Sequence, residues 1–325
     1  MPEEREIIAK IRHRARTRNT VKVGIGDDAA VIQERGDLEM IVCCDLMVEG
    51  VHFRLSGTDP FMLGRKSLAV TLSDIAAMGG HPQYALISLA LPAGSSSQFV
   101  DRLFDGLCDI ARWADVAIIG GDTSRSPGPM FIDTIVLGEC FKGSAVRRST
   151  AKPGNRIYVT GALGASALGL RLLEQGVNLD QADELQKQAI LKHLDPEPRC
   201  AFGRAIGLAN LATAMIDISD GLSLDLSHIL EESNCGAILD ASAIPVAESV
   251  RTIAEDALQL ALHGGEEYEL LFTARAEDHE KVLNCSAMVG MPVALIGEVI
   301  AGRGLHLRRG VVIEEIEPRG FEHSI

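Results

Sequence analysis

The chain has 325 residues, is 46% hydrophobic and 23% charged, and carries 31 Lys and Arg against 45 Asp and Glu, for a net charge of −14. This composition excludes disordered, collagen-like and coiled-coil classes and leaves a globular protein long enough for two domains. The negative charge argues against nucleic acid, whose affinity comes from Lys and Arg on phosphates, and no run of about 18 uncharged apolar residues marks a membrane span.

Residues 3–16 predict an amphipathic helix with Ile7, Ile8 and Ile11 on one side; the basic cluster from Arg12 to Arg18 reads as a solvated face. The start Met1-Pro-Glu-Glu-Arg has no apolar signal segment, and the seven cysteines form no CxxC pair. Both point to a reducing cytoplasm. Residues 24–32 predict a turn entering a strand, and 38–48 a second strand. Thr58-Asp-Pro60 is a helix start, with the helix running to Met78 and ending at Gly79-Gly80. Further strands are expected over 84–91, 116–119 (short and buried, running into Gly120-Gly-Asp-Thr123) and 131–139, with a helix over 98–113. The stretch from Lys142 to Asn155 is basic, contains Gly and Ser, and ends in Lys-Pro-Gly-Asn. It sets an expected boundary between domains 1–146 and 147–325. Beyond it come a strand over 156–160, a Gly-rich turn and helix over 161–176, and a helix over 181–193. A strand over 212–218 then feeds a helix over 222–232, and a loop from 264 enters a strand ending at 272. Strands and helices mix without strict alternation, which predicts α+β layering.

Some aspartates sit where charge is unexpected. Asp45 lies in the apolar run Ile-Val-Cys-Cys-Asp-Leu-Met-Val, Asp74 in a helix with Val70, Thr71, Ala77 and Met78 as its neighbours, and Asp217 in Met-Ile-Asp-Ile. No Lys or Arg falls between Ser67 and Gly80. A desolvated carboxylate is costly unless it is paired or binds metal, so the set points to a shared divalent cation, and all-oxygen ligands suit Mg²⁺. The alternatives are local: Asp27, Asp28 and Asp122 as turn residues, Asp220 as a cap of the helix beginning at Leu222, and distant cations for Asp45, Asp74 and Asp217. Gly161-Ala-Leu-Gly-Ala-Ser-Ala-Leu-Gly169 lacks P-loop and dinucleotide spacings and reads as a tight turn.

Six segments occur in order: Gly24-Ile-Gly-Asp-Asp-Ala-Ala-Val, Asp45-Leu-Met-Val-Glu-Gly-Val-His-Phe53, Ser73-Asp-Ile-Ala-Ala-Met-Gly-Gly-His-Pro82, Gly120-Gly-Asp-Thr123, Asp217-Ile-Ser-Asp-Gly-Leu222 and Gly265-Glu-Glu-Tyr-Glu-Leu-Leu-Phe272. Together they resemble the thiamine-monophosphate kinase family, in the PurM-like superfamily of aminoimidazole ribonucleotide synthetase. The resemblance implies a two-domain α+β architecture whose N-terminal domains share a β-barrel in a homodimer, with nucleotide in the groove between domains. The implied reaction is transfer of the γ-phosphoryl group of ATP to thiamine monophosphate with several Mg²⁺ ions. By motif, Asp28, Asp45, Asp74, Asp122, Asp217 and Asp220 would hold metal, Gly121, Asp122, Arg148 and Ser219 would meet ATP, and His52, Glu266 and Phe321 would line the acceptor site. Asp45, Asp122 and Arg148 would carry the catalytic role. Four positions depart from the family pattern. Cys43 and Cys44 stand where Ser or Thr would supply hydroxyl metal ligands, leaving a backbone carbonyl or water. Glu267 replaces Asp, Phe104 replaces a Tyr beside the nucleotide, and Asn155 replaces an Asp at a turn. Other ATP-using members of the superfamily, and a catalytically silent nucleotide or Mg²⁺ module, are the competing readings.

Overall fold

The computed structural model describes residues 20–24, 27–33 and 36–321, so the helix expected over 3–16 lies outside the described residues. The first half builds a six-stranded sheet in the order β1-β2-β3-β6-β4-β5, from β1 (Val21–Val23), β2 (Ala30–Gln33), β3 (Leu38–Val48), β4 (His81–Pro92), β5 (Ala117–Ser126) and β6 (Phe131–Phe141). All pairs are antiparallel except β4–β5. Helices α1 (Pro60–Ala77) and α2 (Ser97–Trp113) cover one face. Asp59 caps α1 by accepting from Phe61 N, and Pro60 occupies its first turn, as the sequence predicts.

Strand periodicity decides what faces the helices. On β3, Ile41, Cys43 and Met47 are buried, and Asp45 shares their parity, so its side chain also points to α1. Cys44 and Leu46 point the other way and are exposed. The predicted strand 116–119 is longer than expected: β5 runs through Gly120-Gly-Asp-Thr123 to Ser126, and most of it is exposed at the sheet edge. Val116, just before it, and Ser126, at its end, are the buried residues there. A chain pairing on one side only cannot bury itself, which corrects the expectation of a buried strand.

The second half forms a seven-stranded sheet in the order β13-β12-β9-β11-β7-β10-β8, from β7 (Arg156–Thr160), β8 (Ala212–Asp217), β9 (Gly236–Asp240), β10 (Leu270–Ala274), β11 (Val293–Ile300), β12 (Leu305–Arg309) and β13 (Val312–Ile316). Only β9–β12 is parallel. Its helices are α3 (Ala165–Glu174), α4 (Glu184–Leu194), α5 (Cys200–Leu208), α6 (Leu222–Ser233), α7 (Glu248–Ile253), α8 (Ala257–His263) and α9 (His279–Val289). One face of the sheet, with Ile157, Ile216 and Leu271, packs on Leu222, Leu226 and Ile229 of α6. The other face, with Tyr158, Met215 and Phe272, packs on Phe202 of α5, Val282 of α9 and Ala76 and Ala77 of α1.

α1 therefore belongs to both halves, which explains why 13 of its residues are buried and why its sequence lacks a polar stripe. Its junction with α5 depends on glycine: a Cβ at Gly203 would come within 2.3 Å of Ala76 O, and one at Gly207 within 2.8 Å of Gly79 O. Two sheets with mixed helices agree with the α+β expectation. Among the described residues no helix is long and apolar enough to cross a membrane.

Candidate active site

The alternation that sends Met215 of β8 toward α1 sends Asp217 there too. Asp28, Asp74 and Asp217 each offer a carboxylate oxygen, and these atoms lie within 4.8 Å of one another. Asp45 reaches the same place from β3, close enough for its charge to act on Asp74. Among the described residues one cation enters the group. Arg148, in a short 3₁₀ turn (Arg148–Thr150), donates from Nε and Nη2 to Asp28 at 2.9 and 2.7 Å, a bidentate pair. Its backbone N also donates to Asp27 at 3.3 Å.

One guanidinium cannot balance these acids. Burial, followed by the charge of Asp45, holds the Asp74 carboxyl well above its ordinary range. Burial and then Asp28 push Asp217 up to about 8, burial raises Asp45, and burial and then Asp28 push Asp27 up to about 7. Burial works against the Arg148 charge, but Asp28 outweighs it and keeps the guanidinium charged. Among the described residues, the buried Asp45 Oδ2 and Ser73 Oγ have no hydrogen-bond partner. Hard oxygen donors, carboxylates that resist ionisation and orphaned acceptors are what a divalent cation would satisfy.

A cleft opens beside the acids, lined by Asp45, Asp74, Asp217, His52, Ser219 and Glu266. His52 Nδ1 accepts from Val48 N at 3.0 Å, which fixes its ring. Glu266 pairs with Lys66 of α1 at 2.8 Å and with His193 of α4 at 3.1 Å. Burial opposes its ionisation, but the charge of Lys66 outweighs burial and holds the carboxyl below its usual range. His193 is itself pushed down to about 4 by burial and then by Lys66, so at neutral pH it is an uncharged donor.

The remaining expected residues fall into three places. Ser219 is on the cleft, while Asp220 sits with Asp225 and His228 in a neighbouring group whose ligand atoms also lie within 4.8 Å of one another. Asp220 is not the cap of α6; Gly221 holds that position, and Asp225 accepts from Asp220 N and Gly221 N at 3.1 and 2.9 Å. Phe321 is half-exposed, and its N donates to Asp220 O at 3.0 Å, which lays that residue over the loop. Gly121 and Asp122 lie on the exposed edge strand β5, with Gly121 packed against Ile87 O, and Asp122 accepts from Thr123 N at 2.8 Å. Phe104 packs from α2 against the first core.

The structure sets the two cysteine thiols on opposite faces of β3. Cys43 Sγ, on the face that Asp45 shares, is buried near Asp74 and Asp45 and donates to Thr71 O at 3.3 Å, while Cys44 is exposed on the far face of the sheet. Glu267, which stands where the family pattern has Asp, has a structural position: its Oε1 accepts from Gly164 N and Ser166 N at 2.7 and 3.1 Å, at the start of α3. Asn155 is a turn residue, its Oδ1 accepting from Lys152 N and Thr213 Oγ1. Lys66 and His193 escaped sequence reasoning. The sole signal was a Lys at the head of a stretch of α1 that is otherwise without cations.

Comparison with known proteins places this geometry. The family model "AIR synthase related protein, N-terminal domain" matches residues 26–140, and "AIR synthase related protein, C-terminal domain" matches residues 152–310. The chain is similar to the thiamine-monophosphate kinase of Bacillus subtilis, 37% identical over 297 residues, with 91% of each chain covered. Among solved structures it is similar to the thiamine-monophosphate kinase of Stenotrophomonas maltophilia, with a TM-score of 0.79 and 38% identity over 93% of this chain and 95% of that one. It is similar also to AaThiL complexed with AMPPCP and TMP, with a TM-score of 0.87 and 29% identity over 99% of this chain and 97% of that one.

Proposed function

Because the chain belongs to the family of AIR synthase related proteins and, within it, to the thiamine-monophosphate kinases, we infer that it transfers the γ-phosphoryl group of ATP to the phosphate of thiamine monophosphate, giving thiamine diphosphate and ADP. The observation that carries this reading into the site is the convergence of Asp28, Asp45, Asp74 and Asp217 on one cleft with a single guanidinium.

The attacking group is a phosphate oxygen, largely ionised at neutral pH because its second pKa is about 6, so no side chain has to act as a general base. The difficulty lies in bringing two polyanions together in line. Asp28, Asp45, Asp74 and Asp217, with Asp122 and Asp220 brought to the phosphates from their own segments, would hold Mg²⁺. Bound Mg²⁺ supplies charge neutralisation at the phosphate oxygens. Arg148, anchored by its bidentate pair with Asp28, adds the fixed positive charge of this chain's own. Gly121 and Ser219 take the nucleotide, with Phe104 behind it on α2, and His52, Glu266 and Phe321 take the acceptor.

The working form is a homodimer. Its support is the uncovered face of the first sheet, where Leu46, Tyr84 and Ile119 are 52%, 47% and 58% exposed. A second copy packed there would cover that face and bring the exposed edge of β5, with Gly121 and Asp122, into an interior. The domains divide as 1–146 and 147–325, a cytoplasmic enzyme suits seven free cysteines, and nucleic acid and membranes are not among its ligands.

The test is direct. Purified chain incubated with ATP, Mg²⁺ and thiamine monophosphate forms thiamine diphosphate, resolved by chromatography, and a solution mass near twice that of one chain accompanies it. Absence of that product, or product formed only from another phosphorylated acceptor, sinks the reading.

A further inference from the structure

We propose that Lys66 and His193 are positioning residues that hold the Glu266 carboxylate in one orientation against the cleft, an inference resting on the reading of that cleft as the acceptor site. Each oxygen of the carboxylate is gripped from behind by a different element. Lys66 Nζ of α1 takes Oε1 at 2.8 Å, and His193 Nδ1 of α4 takes Oε2 at 3.1 Å. Lys66 is 3% exposed, and an ammonium at that depth survives because its charge is matched by a carboxylate. Its counter-charge keeps 26% exposure on the cleft side.

The backbone is fixed as firmly as the side chain. Glu266 has φ of +59°, uncommon for a residue with a Cβ, and its N donates to Ser219 O at 2.6 Å. Gly265 before it has no room for a side chain, since a Cβ there would lie 2.7 Å from Ser219 O. Strain of this kind persists where surroundings over-determine a conformation, and here it directs one carboxylate at the cleft beside the aspartates. The same Nδ1 also lies 3.2 Å from Ser166 Oγ, so its hydrogen is shared between that hydroxyl and the carboxylate. Lys66 belongs to the first half of the chain and Glu266 to the second, so the pair also fixes the cleft wall across the junction. A pair serving stability alone would have no reason to leave its carboxylate on the cleft.

Steady-state kinetics on Lys66→Met, Lys66→Arg and His193→Leu separate this role from a structural one. Lys66→Met is expected to raise KM for thiamine monophosphate by about tenfold or more while KM for ATP stays within about twofold. Lys66→Arg, which keeps the charge, is expected to recover most of the loss, and His193→Leu to move the same constant by a smaller factor. Equal rises in both KM values, or an unchanged KM for thiamine monophosphate, overturn the proposal. Should Lys66→Met fail to fold by circular dichroism, His193→Leu decides by the same split. Wild-type chain making no thiamine diphosphate would count against the activity itself; an active wild type with an indifferent Lys66→Met counts only against the positioning role.

Discussion

Two sets of buried carboxylates in this molecule are treated oppositely by the fold. Glu269, 1% exposed, accepts from Lys192, Arg199 and Thr160, and Glu266 is held by Lys66 and His193; in both, cations outweigh burial and ionisation is favoured. Asp45, Asp74 and Asp217 are comparably buried but share one arginine through Asp28, and ionisation is disfavoured in all three. Burial of an acid therefore does not identify a site. What does is burial without internal compensation, because the fold then stores unfavourable electrostatics that only an external cation relieves.

The largest effect expected from breaking that contrast is on turnover. Asp45→Asn and Asp217→Asn are each expected to lower thiamine diphosphate formation by about a thousandfold or more, with the far-ultraviolet dichroism unchanged. Near-normal rates in both would remove the cation-binding role of the cluster.

Stability should move in opposite directions for the two sets. Glu269→Gln leaves Lys192 and Arg199 buried around a neutral amide and is expected to cost about 3–5 kcal/mol in denaturant unfolding. Asp217→Asn, measured in chelator, is expected to raise the melting temperature by roughly 2–4 °C. The sign follows from linkage. The Asp217 carboxyl is raised from 3.8 to about 8, so its contribution to stability is complete below pH 4 and is lost as pH rises through about 8. The advantage of Asp217→Asn over wild type should therefore grow between pH 4 and pH 8, and added Mg²⁺ should stabilise wild type more than the variant. A variant less stable than wild type in chelator at pH 8 would mean that the cluster is already compensated from within.

How much of this was legible beforehand depends on the range of the interaction involved. β3, α1 and β6 could be read from local patterning: the capping Asp59-Pro60 pair, the apolar run of 38–48 and its period of two. Asp45, Asp74 and Asp217 stood out because their neighbours in sequence are apolar, and the same parity carries Asp45 and Asp217 toward α1. Lys66, His193 and Arg199 were illegible because their partners lie 200, 73 and 70 residues away, at Glu266, Glu266 and Glu269. The exposed course of β5 was hidden for a similar reason. Nothing in Val116-Ala-Ile-Ile119 tells an edge strand from a central one, since that is decided by which strand pairs on the other side. Cys43 and Cys44 stand together in sequence, but successive strand residues face opposite ways, so Cys43 shares the face of Asp45 and Cys44 does not.

Glu267 tests the contrast at its smallest. It lies between the two compensated acids in sequence yet has no cation in contact: Oε1 takes two backbone donors at the start of α3, while the buried Oε2 has no partner among the described residues. Burial pushes its carboxyl from 4.5 up to about 7, with Lys192 pulling the other way, so near neutrality it is only partly ionised. Glu267→Gln keeps the acceptor that Gly164 and Ser166 use and removes the charge that is least supported. At pH 6, where the native carboxyl is mostly protonated, stability is expected to change by less than about 1 kcal/mol. A raised folded pKa gives stability that is lost as pH rises through about 7, so by pH 8.5 the variant should gain on wild type, with kcat and both KM values within about twofold throughout. If Glu267→Gln is instead the less stable protein at pH 8.5, the ionised carboxylate is wanted where it lies. It would then join Glu266 and Glu269 as an acid balanced from within, with the start of α3 supplying the positive end.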